Sequence, residues 1–355
     1  MIYIGFTVFL FSLSFILGQF KITKNQIYFS VLLILFLFSA FRYQVGCDWD
    51  PYYYLYKNVP NIDWKINTSI REPLFQLIYF IGDEFSLPYP FINIFSSAIF
   101  FTGIHILAKR QPDPLSFLVI CFPILIINMP MSGIRQGAAI GVICIALVAF
   151  VNRSPFKYLF WVIIATGFHS SAIVFLLLIP FATGRYNNTR IALTFLMLIP
   201  CTIYAVGLDS AQFAVKTYVG SGREAHGAVF RVGFLFLSGI YFLLFLKNKW
   251  KNTSPFDYSL VSLGAIIMIL LILLVPVSTI ISDRFGYYLI PIQAMIFSRI
   301  PFLHFQRLHL FHSVLPYLGI LILFVAWINL SWHFEECYLP YKNWIFGFPS
   351  EDFLR

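Results

Sequence analysis

The sequence has little charge. Asp, Glu, Lys and Arg make up 11% of its 355 residues, against about 25% in soluble globular chains. It also lacks alternating polar and apolar runs. The apolar stretches are long and unbroken, 59% of residues are hydrophobic, and the mean hydropathy is +0.81. The scarcity of charge excludes a soluble enzyme, a disordered protein and a nucleic-acid binder. The missing alternation favours a helical bundle over an outer-membrane barrel. Cysteine is scarce too: there are five, with no CxxC or other metal-binding spacing. Cys121, Cys144 and Cys201 sit in apolar runs as inert packing. Cys47 and Cys337 fall outside the spans, facing an oxidising compartment, and are a candidate disulfide pair whose separation in space is not readable from sequence. No GxSxG, P-loop, GxGxxG or HExxH motif occurs. The N-terminal run lacks the basic start and small-residue cleavage site of a signal peptide, so it is expected to be a span.

What is present is enough apolar sequence to cross a membrane many times. A spanning helix needs about 20 apolar residues. The candidate segments are 2–20, 26–41, 88–108, 115–131, 135–151, 157–182, 191–207, 230–246, 257–281, 285–298 and 313–330. The expected fold is an all-α polytopic membrane protein, one integral domain over 1–355, with about 11–12 transmembrane or re-entrant helices.

The few charges set the orientation. Lys21, Lys24, Lys109, Arg110, Arg153, Lys157, Lys247, Lys249, Lys251, Arg299 and Arg307 all fall on the cytoplasmic side if the N-terminus is outside. Segment 157–182 tests this. As a single span it would send Lys247–Lys251 outside, against the positive-inside rule. It therefore reads as two short halves meeting at Phe168-His169-Ser170-Ser171, a re-entrant or paired-helix element with His169 at its tip. Irregular backbone at membrane depth survives only when it is buried in protein or lines a cavity. Arg185 and Arg190 then also fall inside, so the net charge of +9 expresses topology rather than an anion-binding face.

The remaining charges are on the outer side. Loop 42–87 opens with Arg42, Gly46, Cys47 and Asp48, continues through Tyr52, Tyr53, Tyr54 and Tyr56, and closes with Arg71-Glu72-Pro73. Glu72-Pro73 suits a helix start, and 73–82 suits an interfacial helix. Aromatic faces beside carboxylates suit sugars; an aromatic interface belt is the plainer reading of the tyrosines. Arg135 and Gln136 occupy the first turn of an apolar helix, where an arginine and free N–H groups make a phosphate site. The alternative is a snorkelling interfacial arginine. His169 can donate to a phosphate or act as acid or base. Asp283-Arg284 stands between two spans on the same side, either as a self-neutralising pair or with Arg284 free for a ligand. Loop 208–229, with Lys216, Arg223, Glu224 and His226, resembles a lid. His105 is structural by its apolar surroundings. Residues 331–355 form an outer tail.

These motifs resemble, in order, those of EpsG-like proteins, a group that includes Wzy-type O-antigen and capsule repeat-unit polymerases. They are Arg42-x-x-x-Gly46-x-Asp48 with Tyr52 and Tyr56, then Glu72-Pro73-Leu74-Phe75, Ile134-Arg135-Gln136, Phe168-His169-Ser170-Ser171-Ala172 and Arg284-x-x-x-Tyr288, with a tail at Pro340-Tyr341-Lys342-Asn343-Trp344. Cys47 stands where the family commonly has a small hydroxyl residue. The resemblance implies a GT-C-like inner-membrane glycosyltransferase. Its substrates would be undecaprenyl-diphosphate-linked glycans, its surroundings membrane lipids, and its partner a chain-length regulator. No cofactor and no metal are expected; Asp48, Asp50 and His169 are the residues that would hold a divalent ion. The expected catalytic residues are Glu72, Asp48, His169 and Arg135. Arg42, Gln136, Arg284 and Tyr288 are expected at the diphosphate or glycan. Glu72 or Asp48 would serve the acceptor hydroxyl, and Arg42 would bind phosphate or brace Asp48. A lipid-linked oligosaccharide flippase and a ligase are the competing readings. A flippase would spread its charges through the bilayer depth, and these gather at one end.

Overall fold

The computed structural model describes residues 2–17, 21–58, 72–184, 227–303 and 308–345, with a few positions between these blocks (187–190, 192–194, 196, 225 and 305). Most of the expected 191–207 span, nearly all of loop 208–229, residues 59–71 and the tail beyond 345 lie outside the described residues. The described chain is helical, with no β-strand among its described residues and one isolated bridge between Arg42 and Asn343. Its long elements are α1 (Ile2–Ile16), α2 (Lys21–Ala40), α5 (Pro90–Ala108), α6 (Pro114–Cys121), α7 (Ile134–Val151), α8 (Pro155–Phe168), α9 (Ala228–Tyr241), α11 (Tyr258–Leu270), α12 (Thr279–Arg299) and α13 (His309–Leu330). Shorter helices are α3 (Trp49–Lys57), α4 (Pro73–Glu84), α10 (Lys247–Thr253) and α14 (Trp332–Tyr338). Four helical stretches are long and apolar enough to cross a membrane, and six more are apolar but shorter. The chain is a multi-pass membrane protein.

The centre of the bundle is α7, about 27 Å long at 1.5 Å per residue. It packs on α5 through two glycines. A Cβ on Gly103 would meet the Gly141 carbonyl oxygen at 1.8 Å, so only glycine permits this approach. α7 runs from Arg135, at what is here termed the site end, to Arg153 at the opposite end. α8 starts beside Arg153 and returns to the site end, where the helix breaks at His169 (φ −152°, ψ 122°). A 3-10 segment, Ser170–Phe181, then leads away. The Tyr158 hydroxyl donates to the Phe175 carbonyl at 2.7 Å, and Gly184 lies against the Arg153 guanidinium. The two halves therefore form a hairpin with both ends at one end of the bundle.

Three boundaries differ from the sequence reading. The break expected at Asp283-Arg284 lies earlier, at Val275–Ser278. Pro276 has no N–H to continue the helix, and the Ser278 side chain caps the next one by accepting from Ile281 N–H at 3.3 Å. Asp283 and Arg284 thus occupy the first two turns of α12 rather than a loop. The Lys247–Lys251 run is also helical, joined to α9 by a π-helical turn at Phe242–Leu246. Trp250 anchors it, fully buried, with its Nε1 donating to Asp257 at 2.9 Å. Finally, Arg299 is not a loop residue: it ends α12, is 5% exposed, and pairs with Asp257 at 2.5 Å and Gln111 at 2.9 Å.

Candidate active site

The site is assembled from four chain segments whose local structure leaves polar groups unspent. The first is the turn after α2. Arg42 is 1% exposed, and its guanidinium donates to the carbonyls of Val45 (2.9 Å) and Ser39 (2.8 Å) and to Asn93 Oδ1 (3.0 Å). Gly46 has φ +104°, and a Cβ there would meet the Met131 carbonyl oxygen at 1.8 Å. The turn is closed by the tail. Gly46 N–H donates to Cys337 O, Tyr43 N–H to Lys342 O and Trp344 N–H to Phe41 O, and Cys47 forms a disulfide with Cys337. Its product is Asp48, the N-cap residue of α3. The Asp48 side chain makes no capping bond and takes no hydrogen bond or ion pair among the described residues.

The second segment is Glu72, N-cap of α4, with Pro73 at the first helical position. Its carboxylate does not cap α4 either. It reaches across to the third and fourth segments, the hairpin tip and the start of α7. Glu72 Oε1 accepts from His169 Nδ1 at 2.5 Å and from Ser170 N–H at 3.3 Å; Oε2 accepts from Arg135 Nη1 at 2.7 Å. The approach of α4 to α8 again rests on a glycine: a Cβ on Gly167 would meet Leu74 Cγ at 2.7 Å. Arg135 Nε donates to the Tyr52 hydroxyl at 3.2 Å, with the guanidinium 5.5 Å from that ring's centroid. Glu72 is thus the hub that fixes a histidine and an arginine relative to each other.

A cavity of about 270 Å³ opens beside this hub, lined by Asp48, Tyr52, Arg135, Gln136, His169 and Arg284 among others. The Glu72 and His169 side chains are only 10% and 11% exposed, whereas that of Arg135 is 42% exposed. Glu72 therefore works from behind the wall while Arg135 faces the cavity. Both carboxylates lie outside the spanning helices, and their environments separate them. Burial alone would raise the Glu72 carboxyl, but His169 and Arg135 outweigh it and hold it down at about 2. Burial of Asp48 on its protein side raises its carboxyl above the ordinary value, against the pull of Arg284, Arg135 and Arg42. Divergent carboxylates of this kind mark acid–base assignments.

Not every expected residue reaches the cavity. Arg42, expected at the substrate or behind Asp48, has its guanidinium spent on backbone carbonyls and Asn93, so it braces the turn that carries Asp48. Tyr288 is fully buried and its hydroxyl bonds Ser171 Oγ at 3.1 Å, pinning the hairpin tip to α12. Its neighbour Tyr287 lines the cavity instead; its spacing from Asp283 and Arg284, four and three residues, is the signal in the sequence. Gln136 donates to the Arg284 carbonyl at 2.6 Å, tying α7 to α12 at the cavity wall. Asp283 does not neutralise Arg284. It takes both arms of Arg231 on α9 at 2.7 Å each, and the Arg284 side chain is exposed and lines the cavity. Arg231 went unnoticed in the sequence, because nothing local marks an arginine whose partner lies 52 residues away. Among the described residues, no group of three His, Cys, Asp or Glu has metal-binding geometry.

Two cations that face a cavity, a histidine fixed through one nitrogen, and a carboxylate with free lone pairs can together hold a diphosphate and a sugar hydroxyl. Compared with known proteins, residues 25–343 match the family model described as EpsG family. Neither the curated proteins nor the solved structures compared with the chain give a match.

Proposed function

The chain belongs to the EpsG family, which carries a polysaccharide-polymerase-like role in general, and from that premise we propose that it is a membrane glycosyltransferase of the Wzy type. It joins undecaprenyl-diphosphate-linked repeat units into O-antigen, capsule or exopolysaccharide. In this reading it resides in the bacterial inner membrane with a GT-C-like architecture, its site end faces the periplasm, and a chain-length regulator is its partner.

The observation that carries the reading is the set of groups gathered at one cavity: Arg135, Arg284, His169 and Asp48 line it, and Glu72 binds His169 and Arg135 from behind. The growing glycan leaves its lipid diphosphate as the new glycosidic bond forms, so negative charge develops on the diphosphate oxygen. Arg135 and Arg284 stabilise that charge. With Nδ1–H donated to Glu72, His169 Nε2 donates to the diphosphate only as the imidazolium, the form that the Glu72 carboxylate and a bound diphosphate both favour. The acceptor hydroxyl must lose a proton to a carboxylate within hydrogen-bond reach. Asp48 suits this better than Glu72, because its lone pairs are free and its affinity for a proton is raised. Glu72 is saturated by three donors and is too weak a base. We therefore assign Asp48 to the acceptor, Arg135, Arg284 and His169 to the diphosphate, and Glu72 to positioning.

Purified protein supplied with lipid-linked repeat units tests this directly. Longer glycans on the carrier are expected. Movement of the substrate across the bilayer without bond formation would instead establish a flippase, and transfer only onto a different acceptor would establish a ligase.

A further inference from the structure

A second cavity lies at the end opposite the candidate site, among the ends of α5, α7, α10 and α12. It measures about 610 Å³ and its charged lining is Arg110, Arg153, Arg299 and Asp257. Asp257 is already committed to Arg299 and to the Trp250 indole N–H. Arg110 and Arg153 are exposed and meet no carboxylate among the described residues, so the cavity carries a net charge of about +2. Arg299 adds a second, independent sign. It is 5% exposed, and its Nε–H finds no acceptor although Nη1 and Nη2 do. A buried donor left in this state costs free energy.

Arginines at or just past helix C-termini also suit the helix dipole. The dipole does not account for three of them converging on one cavity with a single, already paired carboxylate. Guanidinium groups so arranged match the oxygens of a phosphate. The remaining wall indicates which phosphate. Val148 and Met295 give it an apolar side, and Phe256, 78% exposed, stands at its edge. A soluble phosphate has no use for such a wall, whereas a phosphoglycerol headgroup enters with its acyl chains beside it.

We propose that this cavity binds the phosphate headgroup of an anionic membrane lipid in the leaflet opposite the candidate site. Basic pockets between helix ends at a membrane surface are suited to such headgroups. The site is separate from the glycan chemistry and does not depend on it.

Native mass spectrometry of the delipidated, purified protein tests the proposal, with dioleoylphosphatidylglycerol, dioleoylphosphatidylcholine and inorganic phosphate as probes. One saturable phosphatidylglycerol adduct is expected. Replacing two arginines (Arg110→Gln with Arg153→Gln) weakens it about thirtyfold, from the typical contribution of each basic residue to anionic-lipid binding. The Arg110→Lys, Arg153→Lys pair keeps the charge and loses part of the affinity, which separates charge from misfolding. Equal binding by the glutamine pair, or equal binding of phosphatidylcholine, overturns the proposal. Displacement of the lipid by millimolar inorganic phosphate overturns the lipid assignment in favour of a soluble anion.

Discussion

Neutralising Glu72 should loosen the site from behind, and the structure sets the size of the effect. The Glu72 carboxyl sits at about 2, against an ordinary value of 4.5. At roughly 1.4 kcal/mol for each tenfold change in affinity, the ionised form contributes about 3 kcal/mol to the folded state. Glutamine mimics the protonated acid in shape and charge, so Glu72→Gln should lose about this amount. The figure agrees with the ~3–5 kcal/mol typical of breaking a buried ion pair from one side. The sign in pH follows from the depressed value. The contribution is complete above about 4.5 and fades as pH falls toward 2. The assay is thermal melting of the purified protein in detergent at neutral pH and at pH values through that window. Wild type should melt well above Glu72→Gln at neutral pH, and the gap should close on acidification. A cycle with His169→Gln should show coupling of at least about 0.5 kcal/mol, since the two side chains touch. Coincident melting at neutral pH, a gap that persists in acid, or additive single variants would each refute the hub role given to Glu72.

Asp48→Asn should abolish glycan elongation with the protein still folded. In wild type the acid limb of the rate should lie above the ordinary aspartate value, because Asp48 acts ionised and its carboxyl is raised; a limb at or below that value argues against Asp48. Arg284→Gln should lower kcat by about a hundredfold, the usual cost of one oxyanion donor, with little change in melting, since the side chain is exposed; a change confined to KM contradicts the role. Arg231→Gln strands Asp283 in the bundle and should cost about 3–5 kcal/mol. The Arg231→Gln, Asp283→Asn pair should recover most of it in melting experiments, and a pair no better than the single variant would sink the interpretation.

Features that depend on neighbours in sequence were legible in advance. Unbroken apolar runs give the spans, Glu72-Pro73 gives a helix start, and a 26-residue apolar segment with His-Ser-Ser at its middle gives the hairpin. Features that depend on distant partners were not. Arg42 looks like a ligand residue because it is an arginine near an aspartate; only packing shows its guanidinium filled by Ser39, Val45 and Asn93. The Asp283-Arg284 pair looks self-neutral until α9 supplies Arg231. Cys47 and Cys337 are 290 residues apart, and no pattern announces their contact. The two carboxylates looked equivalent in sequence, because what separates them is the number of donors each one meets.

The tie between the Arg42 turn and the tail has a consequence for biogenesis. Asp48 emerges from the ribosome long before residues 337–344, which finish the turn that presents it. Those residues reach the site end only after α13 has been inserted. A nascent or truncated chain can thread most of its helices and still lack the support beneath Asp48. Support beneath Asp48 is thereby coupled to the synthesis and insertion of everything up to residue 344.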